Sequence, residues 1–461
     1  MRNPLDIGDV EKEVDGSSQK TIHKKQKALE RSIQEGIGSS ISLGLGANYI
    51  TPFALALKSN AFQIGLLSSF SGLISPLSQI FGAKLMKNYP RKKIVLFSVL
   101  LQALTWIPIA LLSYLAWKEI VPLALPYLLI ALYSALVAFG GIAFPPWFSW
   151  MGDLVPEKDR GRYFSIRNRA TEAAGITVAL IASFFLDYIE TKGLALLGFS
   201  ILFLLAFAFR FISFMIFKKQ YSPKLKLKRG DYFSLIAFLK RFDNFGKFAV
   251  FSAIFYFSLM IASPFFSVYM LEDLKFSYTT FIIVSMSASI YYLLFSLIIG
   301  KFSDKFGNKK LLLFGGLLFA VNPLFWLFIK NPYLLVGIPQ LVSGLANAAL
   351  IIGYNNFTYD SVSQHKRGIC VAYFNLLLGI GTFVGSILGG AIIKYVPISF
   401  MKPIFFVFAI SAILRFLSTI LFIPKLKESR KVKAIPPMHI SVTHPFKTVH
   451  AEIGWFKTIF K

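Results

Sequence analysis

Acidic side chains are scarce in this sequence: 22 Asp and Glu stand against 49 Lys and Arg over 461 residues, and charged residues make up only 15%. A soluble domain carries about 25% charged residues, so the shortfall excludes ordinary water-soluble packing. Cysteine is almost absent, and the single Cys370 excludes an internal disulfide, a Cys-based metal site and a dithiol redox pair. Histidine is rare as well, with five in all. None falls in a long apolar segment, which removes the convergent imidazoles and metal ligands that a membrane enzyme needs. His439, His444 and His450 sit near the C-terminus at a spacing that fits no tight ligand set. No Walker sequence is present, so direct use of ATP is not expected, and no cofactor or metal is called for. The first 35 residues show no apolar run followed by a small-residue cleavage site and do not read as a signal peptide.

What is abundant is hydrocarbon. Hydrophobic residues reach 55%, aromatics 16%, and mean hydropathy is +0.62. The net charge of +27 does not point to nucleic acid, because Lys and Arg lie between apolar segments and at the chain ends. A hydrocarbon core of about 30 Å needs roughly 20 apolar residues at helical rise. Segments of that kind predict an all-α integral membrane protein of twelve transmembrane helices, at 37–57, 62–81, 94–117, 126–150, 163–187, 194–217, 248–270, 281–299, 311–329, 333–358 and 369–393, with a twelfth ending near Ile423. Loops after the even-numbered helices are rich in Lys and Arg, which predicts a multi-pass protein of the cell membrane with both termini cytoplasmic. The expected division is a cytoplasmic tail at 1–36, a six-helix bundle at 37–217, a basic linker at 218–247 with an interfacial helix from Asp231, a second bundle at 248–424, and a basic tail at 425–461.

The two bundles read as a duplication. DLVPEKDRGRYFSIRN, from Asp153, returns as DSVSQHKRGICVAYFN, from Asp360. Asp153 and Asp360, Arg160 and Arg367, Gly161 and Gly368, and Asn168 and Asn375 are each 207 residues apart. Arg210 and Arg415 repeat at an offset of 205, and Pro52 and Pro264 at 212. Either arginine, two to three turns from a helix end, suits snorkelling or binding to helix termini.

Polar residues inside the segments mark faces that must meet protein or water. Helix 1 carries Ser40, Gly44, Asn48 and Thr51 with Tyr49 beside them. Helix 2 carries Ser68, Ser71, Ser75 and Ser78, a face small enough for close helix approach. Helix 4 ends in FPPWFSW, which places Trp147 and Trp150 at a bent, aromatic end. Helix 7 presents Ser252, Tyr256, Ser263 and Ser267, and helix 10 presents Gln340, Gly344, Asn347, Tyr354, Asn355 and Thr358. Gly381, Gly385 and Gly389 give helix 11 a close-packing face. Glu172 stands nine residues inside Tyr163, about 13 Å at 1.5 Å per residue. Arg169, three residues earlier, is placed to pair with it. Intramembrane ionisable residues are functional candidates by default, and this pair has no counterpart in the second copy.

The string GKFSDKFGNKK, with Gly300, Asp304, Gly307, Lys309 and Lys310, carries a resemblance to the major facilitator superfamily of secondary transporters, over essentially the whole length from Ile37 to Ile423. The first-half counterpart is degraded, with Met86 and Tyr89 replacing the expected aspartate and glycine. The resemblance implies a polytopic secondary transporter that moves a small organic solute by alternating access, ion- or proton-coupled, and monomeric in the bilayer. It implies that helices 1, 4, 7 and 10 line the cavity, which assigns solute contacts to Asn48, Tyr49, Trp147, Tyr256, Asn347, Tyr354 and Asn355. It makes the motif loop a cytoplasmic latch, with Asp304 expected to contact the start of helix 5 around Arg160 to Arg162. Asp153, Arg160, Gly161, Asp360, Arg367 and Gly368 are the matching joints. Helix 4 lacks an intramembrane arginine and helix 5 the Gly-Pro cluster of proton-driven exporters, so any proton coupling falls to Glu172 and Arg169. The alternative is a non-transporting sensor or scaffold of the same fold.

Overall fold

The chain folds, in the computed structural model, as helices joined by short turns, and no strand occurs among the described residues, which are 19–120, 124–156, 159–223, 243–362, 364–428 and 432–433. Eleven helices among them are long and apolar enough to cross a membrane. They are helices 2 to 12 of the sequence: Ala61–Leu85, Arg91–Trp117, Leu125–Leu154, Arg160–Glu190, Ala195–Lys219, Asn244–Asp273, Tyr278–Phe306, Asn308–Phe328, Pro332–Ser361, Cys370–Tyr395 and Pro403–Lys425. Most run a few residues past their predicted ends. Hydropathy marks only the hydrocarbon slab, whereas the backbone keeps its internal hydrogen bonds into the interface.

Helix 1 corrects the expected tail. It begins at Gln19 rather than Ile37, runs to Leu45, passes through a short turn at Ala47–Tyr49 and resumes at Ile50–Ala56. Ala28, Leu29, Ser32 and Glu35 are buried, a spacing of three to four that puts them on one helical face. The break falls at Gly46, where a Cβ would lie 2.3 Å from the Trp106 indole; the ring fills the space a side chain would need. Helix 7 is interrupted at residues 261–264, ending on Pro264, and wide turns at Tyr269–Asp273 and Val336–Gln340 loosen helices 7 and 10. The proline removes one donor from the ladder.

Two compact units form. The first comprises 1–229, 263–282 and 382–396, and the second 230–262, 283–381 and 397–461. The first unit therefore recruits pieces of the second sequence half. Small residues make this possible: Gly65 meets the Ser386 carbonyl, Gly72 meets Thr382, and Gly390 meets the Ala61 carbonyl, each at a distance that leaves no room for a side chain. Ser68 and Ser386 share a hydrogen bond of 3.1 Å, and Ser69 Oγ donates to the Phe383 carbonyl at 2.9 Å. Helix 2 thus uses the predicted small face against helix 11, while Gly141 packs on Ser75 and Ser78. The second unit has an aromatic core of Phe248, Phe357 and Phe374, with Phe248 and Phe374 stacked at 5.2 Å.

The duplication is visible in matched ties inside each unit. Arg91, the first residue of helix 3, is buried and pairs with Asp153 at 2.6 Å. Asn308, the first residue of helix 9, donates to Asp360 at 2.9 Å. The next residue in each case holds the chain leaving the sixth helix of that half: Lys92 Nζ donates to the Gln220 carbonyl and Lys309 Nζ to the Pro424 carbonyl, at 2.8 and 2.9 Å. Arg210 Nε bonds Gln102 Oε1 at 2.8 Å, and Arg415 Nη1 bonds the Phe319 carbonyl at 2.9 Å; Gln102 and Phe319 are, like Arg91 and Asn308, 217 residues apart. Arg415 also donates to the Leu259 carbonyl at 3.0 Å, next to the helix 7 interruption. The linker helix expected from Asp231, the three C-terminal histidines and the tail's final IGWFKTIFK lie outside the described residues.

Candidate functional site

A carboxylate buried with two guanidiniums is the least expected feature of the first unit. Glu35 is 2% exposed. Arg167 on helix 5 bonds its Oε1 at 2.9 Å and reaches the Ser32 carbonyl through Nε at 3.2 Å. The guanidinium stacks over the Trp147 ring at 4.7 Å, a cation–π contact. Arg210 on helix 6 completes the group, with Nη1 on Ser39 Oγ at 2.7 Å. These side chains share a cavity of about 170 Å³ with Gly140, Ala143 and Phe144.

Helical packing explains the assembly. Ser213 Oγ donates to the Glu35 carbonyl at 2.9 Å, and Gly38 lies against Phe209 and Ser213 too closely for a Cβ. Helix 1 is therefore pressed onto helix 6, and Glu35 faces inward. Ser213 is five residues before Lys218, so the group sits about 8 Å inside the basic end of helix 6. An isolated charge there costs several kcal/mol, which pairing and hydrogen bonds must offset. One carboxylate against two guanidiniums leaves one surplus positive charge. That surplus is complementary in charge to a carboxylate or another oxyanion, and the negative charge on Glu35 reduces it.

The predicted charged pair does not form. Arg169 and Glu172 are both exposed. Arg169 donates to Ser165 Oγ at 2.9 Å, and Glu172 has no hydrogen-bond or ion-pair partner among the described residues. Spacing of three puts the two on one face, but it is the face turned away from helix 1. Arg167, two residues earlier and about 200° around the helix, takes the inward position.

The other predicted residues separate into two groups. Tyr49 is fully buried and its hydroxyl donates to the Ala179 carbonyl; Trp147 is half-buried beside Arg167. In the second unit, Tyr354 is buried among Phe248 and Phe374, and its ring lies 6.2 Å from that of Tyr256. Asn48 and Asn355 are exposed and Asn347 is half-buried. Asp304 is exposed at the end of helix 8, and Gly307 adopts φ +94°, a conformation suited to glycine. Gly300 and Gly161 have nothing within 4 Å of a built Cβ. Arg160 donates to the Gly152 carbonyl at 2.9 Å, tying helix 5 to the end of helix 4. Lys309 and Lys310 hold the segment after helix 12, the latter through the Lys433 carbonyl at 3.1 Å. The side chains of Arg367 and Gly368 lie outside the described residues.

Two groups escaped the sequence. Glu35 lies just before the hydropathy boundary at Ile37, although the periodic Ala28, Leu29 and Ser32 before it already mark a buried face. Asp187 lies near the end of helix 5 opposite the basic loops. Its two carboxylate oxygens accept the Tyr278 and Thr279 amides at 2.7 and 3.0 Å, capping the start of helix 8 from helix 5. No single-sequence signal distinguishes it from an ordinary helix-end acid.

A family model described as Major Facilitator Superfamily matches residues 37–243 and 248–457. Among solved structures, a point-mutant form of the nucleoside transporter NupG is 18% identical with a TM-score of 0.67, covering 86% of this chain and 100% of that one. A POT family transporter in complex with 5-aminolevulinic acid is 14% identical with a TM-score of 0.63, covering 89% and 97%. A bacterial homologue of the human lysosomal transporter Spinster, inward-facing and unoccupied, is 15% identical with a TM-score of 0.56, covering 91% and 100%. Vacuolar basic amino acid transporter 2 of Saccharomyces cerevisiae is 33% identical over 114 residues, 25% of this chain, and the match spans only about a fifth (22%) of that relative.

Proposed function

Because the chain belongs to the Major Facilitator Superfamily, we propose that it carries a small carboxylate-bearing organic solute across a membrane by alternating access, with Glu35 as the group that couples the movement to protons. It is a membrane transporter and not an enzyme. The observation that carries the finer reading is the buried Glu35, Arg167 and Arg210 cluster beside Trp147. A cavity of about 170 Å³ has room for about five or six waters at roughly 30 Å³ each, enough for the charged head of a solute. Surplus positive charge selects an anionic head. Protonating Glu35 raises that surplus and strengthens anion binding; losing the proton weakens it, which is the logic of symport. An α-amino acid fits this chemistry through its carboxylate, and the partial likeness to a basic amino acid transporter supports testing that class first.

The polar faces keep their assigned parts in this reading: Asn48 and Tyr49 in the first unit and Tyr256, Asn347, Tyr354 and Asn355 in the second act in solute binding or its support. Asp304 acts in switching. The test is uptake by purified protein in vesicles, using labelled amino acids and small carboxylates with and without an inward-acid pH gradient. Wild type accumulates one class only under the gradient. Glu35→Gln loses accumulation and retains exchange of solute for solute. Gradient-driven accumulation by Glu35→Gln would overturn the coupling role, and absence of uptake across the panel would overturn the solute class.

A further inference from the structure

A second cavity, separate from the charged cluster, lies on the outer side of the first unit. It encloses about 780 Å³ along helix 3, between helices 2, 4 and 6, within the size range of ligand sites, roughly 300–1,000 Å³. Its wall is built by Phe81, Leu85, Phe97, Leu101, Phe139 and Phe214, and Phe81 and Phe97 are 53% and 64% exposed. Bundle packing alone does not require so large an apolar hollow. In a membrane-spanning segment it opens to hydrocarbon, so an acyl chain enters it without losing apolar surroundings.

The basic end of the hollow is chemically different. Lys92, Lys93 and Lys218 line it there, with Tyr89. Lys92 is already engaged by the Gln220 carbonyl. Lys93 and Lys218 are exposed and have no hydrogen bond or ion pair among the described residues; Lys93 lies 6.0 Å from the Tyr89 ring centroid. Two ammonium groups from different helices, neither in a hydrogen bond or ion pair among the described residues, therefore line the basic end of an apolar channel. Among the described residues no acidic side chain lines it. We infer that this groove binds one anionic phospholipid, with an acyl chain along helix 3 and the phosphate held between Lys93 and Lys218. The pattern of charge at one end and hydrocarbon along the rest matches that amphiphile; a soluble anion would use only the lysines, and a neutral lipid only the wall. Basic pockets between membrane helices are a recurrent site for anionic head groups.

The test uses the full chain in detergent, with lipid retention read by native mass spectrometry after titration with phosphatidylglycerol or phosphatidylcholine. Wild type retains one phosphatidylglycerol in preference to phosphatidylcholine. Attraction of about 1 kcal/mol per lysine near a membrane surface makes Lys93→Ala with Lys218→Ala weaken that retention about ten- to thirty-fold. Lys93→Arg with Lys218→Arg preserves it. Lys301→Ala with Lys425→Ala removes the same charge from exposed positions in the other unit and leaves it unchanged. Inorganic phosphate at equal concentration does not displace the lipid. Equal retention of both lipids, equal loss in the control variant, or displacement by phosphate would each overturn the site.

Discussion

Replacing Asp187 with Asn tests whether the end of the first unit opposite the basic loops is held shut by one carboxylate. The carboxylate bonds two consecutive amides at the start of helix 8, at 2.7 and 3.0 Å. A hydrogen bond to a charged group contributes about 1.5–3 kcal/mol and a neutral one about 0.5–1.5. The asparagine keeps one acceptor and loses the charge that faces the positive helix N-terminus. The net loss is about 2 kcal/mol, which multiplies the open population about thirty-fold. The readout is a cysteine at Ser68, whose hydroxyl is bonded to Ser386 at 3.1 Å, in a Cys370→Ala background. Its rate of labelling by a membrane-impermeant maleimide rises in proportion to the open population. Asp187→Asn should raise that rate about thirty-fold, and Asp187→Glu much less. An unchanged rate in a protein with wild-type helix content would refute the reasoning, because the cap would then not oppose opening.

Three further outcomes follow from named contacts. Arg91→Ala removes a buried cation with bonds to Ser149, Pro223 and Asp153 and should cost about 3 kcal/mol; Asp153→Asn should cost about 1 kcal/mol, since its side chain is 47% exposed. Thermal unfolding in detergent gives the order, and a larger effect of Asp153→Asn would contradict it. Gly46→Val places atoms in the Trp106 ring, 2.3 Å from the Cβ position, and should cost about 1–3 kcal/mol, recovered in part by Trp106→Leu. Glu428→Ala strips the carboxylate that accepts the Lys309 amide at 2.8 Å; losing such a cap costs about 1 kcal/mol and should speed hydrogen exchange in the first turn of helix 9 without altering helix 3.

The helices were legible because hydrocarbon enforces them: only apolar runs with internally bonded backbones fit the slab. The duplication was legible wherever the repeat serves one structural task. Asp153 and Asp360 recur because each ties the end of its helix to the start of another, and Arg210 and Arg415 because each reaches the same position on helices 3 and 9. The start of helix 1 is hard to read because Ala28, Leu29, Ser32 and Glu35 are buried while most of the residues between them are polar, so average hydropathy falls although periodicity does not. Glu35 lies in that stretch. Arg169 and Glu172 do not pair for the converse reason: depth along a helix follows from counting residues, but the side chains' direction around the axis follows from neighbours the sequence does not name. Arg167 was within the same string and pointed the right way. Asp187 was unreadable because its partners are two backbone amides, which every residue but proline provides.

The segments that leave the sixth and twelfth helices are each fastened to their own half before the chain goes on. Residues 220–223 are held by Arg91, Lys92 and Trp150, and Pro424 and Lys433 by Lys309 and Lys310, with Asn244 and Lys427 exchanging two hydrogen bonds alongside. The chain leaving the sixth helix of each half is therefore tied to helices of that same half. A gene cut between the codons for Pro223 and Asp243 should yield two polypeptides that find each other in the membrane and transport as the intact chain does. The fold would then be a dimer of unlike partners that happens to be written as one reading frame.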